Sequence, residues 1–165
     1  MLNQIKGLHH VTAMAKDAAQ NNAFWTGTLG LRRVKQTVNF DEPSVYHLYY
    51  GDEAGTPGSV MTYFPFPHIA RGRPGTGEVG TTVFSVPEDS LGWWEERLSA
   101  QGVTGLSRDE SFGQKRLRFT GPDGDGLALI EDQNDARLPW THGGVPAARP
   151  ERPAGRGQRR RLARL

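Results

Sequence analysis

Short runs in this chain suit strands, and two of them lead into stretches with helical spacing. Gly7-Leu8-His9-His10-Val11-Thr12-Ala13-Met14-Ala15 is a brief apolar stretch that reads as a buried strand. Asp17-Ala18-Ala19-Gln20 follows as a capping-box sequence, with Ala23, Phe24 and Trp25 on the apolar side of a helix and Gly30 placed to close it. Three strands are predicted next, at Arg32–Phe40, Val45–Tyr50 and Ser59–Phe64, the last two flanking a turn-rich Gly51–Gly58. The layout then repeats. Val79–Val86 reads as a strand, Pro87 stands near a helix start, and Leu91, Trp94 and Leu98 form an apolar stripe that stops at Gly102. Strands at Val103–Ser107, Gln114–Thr120 and Leu127–Glu131 complete it, with Pro122-Asp123-Gly124-Asp125-Gly126 as a hairpin turn.

The expectation is therefore an α+β protein of two tandem βαβββ modules forming a curved mixed sheet. The modules lie at about 5–65 and 78–132, joined by a proline- and glycine-rich linker at 66–77. Trp and Phe residues on the two helices read as core.

Composition narrows the chemistry. With 165 residues and 36% apolar content the chain suits one domain, placed at 1–146. There is no cysteine, which excludes disulfides, a thiolate zinc site and a Cys nucleophile. The N-terminus lacks an apolar signal core and no stretch reaches membrane-spanning length, so a cytoplasmic protein without membrane attachment is expected.

The net charge of +2 conceals an asymmetry. Residues 1–146 hold 13 Lys and Arg against 17 Asp and Glu, whereas residues 147–165 hold seven Arg against Glu151. The tail has no aromatic or β-branched residue and is expected to be disordered. A nucleic-acid arm is disfavoured by the acidic body. An out-of-frame translation of a GC-rich gene is the favoured reading, because the apolar pattern stops abruptly after Pro139–Pro146.

Candidate chemistry centres on His10. An imidazole held on a strand is aimed by the backbone and loses little freedom on binding a metal. One imidazole cannot hold an ion. His47 lies in a tyrosine-rich strand, either as a hydrogen-bonded residue or as a ligand, while His68 and His142 fall in loops.

His9-His10-Val11-Thr12, the duplication and the Gly121-Pro122-Asp123-Gly124 turn resemble the vicinal oxygen chelate superfamily, which includes glyoxalases, bleomycin-resistance proteins and extradiol dioxygenases. The ordered segments Val38–Pro43, Tyr46–Asp52, Thr56–Ser59 and Thr62–Pro65 resemble, more narrowly, the N-terminal domain of hydroquinone-type ring-cleaving dioxygenases. That resemblance implies Fe(II), or Mn(II), held by two His and one Glu, with a small dihydroxylated aromatic and O₂ in the open positions and ring cleavage beside a hydroxylated carbon. His10 matches the N-terminal His ligand, and His9 an acid–base neighbour that strand alternation would turn to the other face. The remaining ligands belong to a second domain in those proteins. Within this chain, Thr81 or Thr82 matches His10 in the repeat, and Ala128 or Ile130 stands where a Glu is expected, with Glu131 on the opposite face unless the register slips.

An incomplete metal site is thus expected, together with a homodimer that covers the face a second domain would occupy. The alternative is a non-catalytic small-molecule binding module, its cleft lined by His47, Tyr46, Tyr49, Tyr50, Tyr63 and Phe64.

Overall fold

The structure, a computed structural model, describes residues 7–73 and 75–131. The chain order is β1 (His10–Ala15), α1 (Ala18–Asn22), β2 (Arg32–Val38), β3 (Tyr46–Gly51), β4 (Val60–Pro65), β5 (Thr82–Val86), α2 (Leu91–Ala100), β6 (Thr104–Ser111), β7 (Gln114–Thr120) and β8 (Gly126–Glu131). These build two four-stranded sheets of one topology, β1-β4-β3-β2 and β5-β8-β7-β6, in which only the β1–β4 and β5–β8 pairs are parallel. The predicted βαβββ duplication is what forms. The tail at 147–165 lies outside the described residues.

Boundaries differ where local geometry intervenes. The first helix is not one regular element: after five α-helical residues it widens into a π-helix over Ala23–Thr28, with Leu29 N–H reaching Phe24 O at 3.0 Å. This swings Phe24 and Trp25 together into the core. Of the predicted capping box, Asp17 Oδ1 accepts from Gln20 N–H at 2.8 Å. Gly30 closes the segment at φ 76°. Strand β5 starts only at Thr82, leaving Val79 exposed, and β6 runs on to Ser111 to meet Gln114. The turn between β6 and β7 is Phe112-Gly113, both at positive φ, as a two-residue hairpin on this twist requires.

Period-two alternation gives each sheet a core face and an open face. Strand β1 is not the buried strand expected: Val11, Ala13 and Ala15 pack inward while His10, Thr12 and Met14 are exposed, because only one face of its sheet meets the core. Leu48 and Tyr50, with Met61 and Tyr63, continue the core face of the first sheet. Phe84, Val86, Leu117, Phe119, Leu127 and Leu129 do so in the second. The helices cover both, and Trp25 and Trp94 are fully buried, as predicted.

One core joins the modules: Trp25 meets Phe84 at 5.9 Å between centroids, and Tyr63 O–H donates to Asp125 at 2.9 Å. Asp123 accepts from Lys16 N–H at 2.7 Å, and Arg97 donates to Thr28 O at 2.9 Å and to Gly27 O at 2.7 Å. Gly126 permits the closest approach. A Cβ there would lie 2.4 Å from the carbonyl oxygen of Gly80, so the strand can pass only as glycine.

Candidate functional site on the open face of the first sheet

His9 lies just before β1 and so escapes the alternation that begins at His10. The expectation that it turns away is corrected: its Nδ1 sits 3.1 Å from His10 Nδ1, and the rings meet edge-to-face at 5.3 Å. Both imidazoles are exposed.

Two residues along β1, on the face of His10, Thr12 begins a polar chain across the sheet. The Thr62 hydroxyl donates to Thr12 Oγ1 at 2.9 Å, and His47 Nε2 lies 3.1 Å from Thr62 Oγ1. His47 Nδ1 lies 2.8 Å from the Tyr49 hydroxyl. The register makes this chain, because Thr12 stands opposite Thr62 and Thr62 opposite Tyr49. It also satisfies Thr62, which is fully buried among strands.

His47 is clamped between the rings of Tyr49 and Phe64, at 4.1 and 4.0 Å between centroids. Lys35 Nζ stands 5.3 Å from the centre of the Tyr49 ring. Burial, followed by the nearby His10 and Lys35 charges, pushes the His47 pKa down. Both ring nitrogens face hydroxyls, so His47 has none spare for a metal.

Tyr46 and Tyr63 do not join this group. Tyr46 is half exposed at the far end of β3. Tyr63 lies on the core face, fully buried, because it is one residue out of phase with Thr62. Burial, with Asp125 and Asp123 beside it, pushes its hydroxyl pKa well above the usual tyrosine range. Tyr50 is likewise a core residue. Thr12 and Thr62 were missed in the sequence, although a step of two from His10 and from Phe64 was a signal for each.

The second sheet answers the question of replacement ligands. Matching core faces, Phe84 and Val86 correspond to Ala13 and Ala15, which sets Thr81 opposite His10 in the repeat. Leu127 and Leu129 match Met61 and Tyr63, so Ala128 and Ile130 both occupy the open face, and neither is a donor. Register slippage does not bring Glu131 in. Its carboxylate accepts from Leu91 N–H at 3.0 Å, at the start of α2.

Among the described residues, no three His, Asp or Glu side chains come close enough to hold a metal ion. His9 and His10 offer two exposed imidazoles and no carboxylate. The described residues therefore do not fit a resident ferrous centre by themselves.

Residues 7–129 match the model of the Glyoxalase/Bleomycin resistance protein/Dioxygenase superfamily. The chain belongs to this superfamily. Among curated members, it is 46% identical over 140 residues to "Putative ring-cleaving dioxygenase MhqE" of Bacillus subtilis (strain 168), covering 85% of this chain and 46% of that protein. It is 38% identical over 147 residues to the chlorohydroquinone/hydroquinone 1,2-dioxygenase of Sphingobium indicum, covering 87% and 46%. A solved "putative dioxygenase" from Bacillus subtilis subsp. subtilis str. 168 superposes with a TM-score of 0.79 at 42% identity, over 84% of this chain and 44% of that one. The chain thus spans about half the length of the superfamily members it matches here. No helix among the described residues is long and apolar enough to cross a membrane.

Proposed function

We propose that this chain is part of a ring-cleaving dioxygenase acting on dihydroxylated aromatics of the hydroquinone or catechol type. The reaction adds both atoms of O₂ as one ring carbon–carbon bond opens, so it consumes no outside reductant. The observation that carries this reading is His10. It opens β1, exposed and aimed from a paired strand, in a chain 38% identical to a named hydroquinone dioxygenase.

His10 is assigned as one ligand to Fe(II) or Mn(II), and His9, in contact with it, as the group that holds or accepts a proton beside it. The other donors come from polypeptide outside residues 7–131. The open face, with Thr12, His47, Tyr49 and Phe64, receives the aromatic ring, and Tyr46 and Tyr63 have no part in it. A symmetric homodimer is part of the same reading, since Met14 and Val83 stand 58% and 43% exposed on the strands of the open faces.

Anaerobic loading of the full chain with Fe(II), followed by metal analysis and O₂ uptake with 1,4-hydroquinone, tests the assignment. Any retained iron and any uptake should disappear in His10→Ala and survive His68→Ala. Stoichiometric iron or uptake that persists in His10→Ala overturns it. The competing reading, a metal-independent binding module, is favoured by the missing third donor. It predicts hydroquinone binding unchanged by chelator and by His10→Ala.

A further inference from the structure

The polar chain behind His10 has a direction. Thr62 has one hydroxyl hydrogen and gives it to Thr12, so its lone pair faces His47 Nε2 and requires a proton there. A neutral imidazole protonated at Nε2 is bare at Nδ1, and Nδ1 then accepts from the Tyr49 hydroxyl. Every hydrogen along Tyr49–His47–Thr62 is thus committed toward Thr12. Thr12 accepts the last of them, and its own hydrogen has no acceptor among the described residues. Thr12 is exposed, on the same face as His10 and two residues from it, whereas Thr62 behind it is fully buried.

We infer that His47 is a positioning residue: acting through Thr62, it turns the Thr12 hydroxyl outward as a fixed hydrogen-bond donor for a phenolic oxygen bound beside His10. The choice of a phenolic ligand rests on the proposed dioxygenase reading; the orientation of the chain does not.

Three further features suit this role. The Tyr49 and Phe64 rings hold the imidazole from two sides, which opposes a ring flip that would exchange its nitrogens. Burial, then the nearby His10 and Lys35, lowers its pKa and so favours the neutral ring that can both donate and accept. Chains of this kind polarise one another, which strengthens the terminal donor. The competing role for His47, simply satisfying buried Thr62, makes no demand on Thr12.

Two measurements on the metal-free full chain decide between them. In ¹⁵N spectra of the imidazoles, His47 should be the Nε2–H tautomer at neutral pH; the Nδ1–H form overturns the proposal. Titrations with 1,4-hydroquinone and with 1,4-dimethylbenzene, which has no oxygen to accept a hydrogen bond, then test the purpose. Thr12→Val and His47→Leu should each weaken hydroquinone about tenfold, or ~1.4 kcal/mol. The double variant should be no worse than either single one. His47→Gln, which keeps an amide donor toward Thr62, should recover most of the loss, and dimethylbenzene should be indifferent throughout.

Equal losses for both ligands, additive losses, or no hydroquinone binding overturn the inference. Those results leave the iron test on His10 untouched. A failed iron test in turn leaves the tautomer and the hydroxyl dependence as readable as before.

Discussion

Tyr50 carries a hydroxyl that has no hydrogen-bond partner among the described residues, inside the core against Trp25. Burial pushes its pKa up to about 12, against a smaller opposing effect of Arg33. The folded protein therefore holds this proton more tightly than the unfolded chain does. The sign follows: the contribution to stability is complete below pH 10 and is lost as pH rises from there to about 12. Tyr50→Phe keeps the ring and removes the unpaired oxygen, so at pH 7 it should be neutral or stabilising by up to about 1 kcal/mol. In thermal melts it should also soften the alkaline fall. A Phe variant destabilised at pH 7 would show that the hydroxyl is bonded after all.

The same scale shows what single residues disclose. His10 was legible because it is an imidazole in a short apolar strand, whose backbone aims it. His9 was not, since pairing begins one residue later and frees it. Tyr63 looked like a pocket residue by composition alone. One step of phase turned it into the core.

At the scale of elements, α2 shows how a cap is replaced. Ser90 stands at the N-cap but its hydroxyl donates to Pro87 O at 2.5 Å, and it caps no helix amide. Glu131 of β8 supplies the acceptor instead, at Leu91 N–H, and places a carboxylate at the positive end of the helix. Glu131→Ala should cost about 1 kcal/mol in urea unfolding, and Glu131→Gln roughly half of that because an acceptor remains. Equal stability of Ala and wild type would deny the cap. The element order was legible throughout, from apolar stripes and closing glycines. The π-helix was not, because Ala23–Thr28 has ordinary helical spacing and widens only to bring Phe24 and Trp25 onto both sheets' core. Strand β6 was under-read for a related reason. Arg108, Asp109 and Glu110 carry no apolar alternation, and it is pairing with β7, with Arg116 forked onto Asp109 at 2.7 Å, that makes them a strand.

For the whole molecule, two copies of one motif close over a single core, and Tyr63–Asp125 bridges them. Burial holds the Asp125 carboxyl pKa above its usual value, with Asp123 adding to the effect and the Tyr63 hydrogen bond working against it. Among the described residues, nothing packs over Met14 and Val83 on the open faces, which stand 58% and 43% exposed. The proposed homodimer should appear in sedimentation velocity as one species of twice the 18.2 kDa chain mass, shifting toward monomer in Met14→Lys. A wild-type monomer at high concentration would remove the dimer from the reading.

Periodicity and turn chemistry, local properties of neighbouring residues, were enough to determine the duplicated βαβββ order, the core faces and the prominence of His10. Contacts between residues fifteen to fifty positions apart lie beyond any local pattern. Tertiary structure alone decided that Thr62 joins His47 to Thr12, that Glu131 caps a helix, and that no third donor reaches His10 among the described residues. The physical reason is register: one residue of phase, set by strand pairing, selects which side chains share a face.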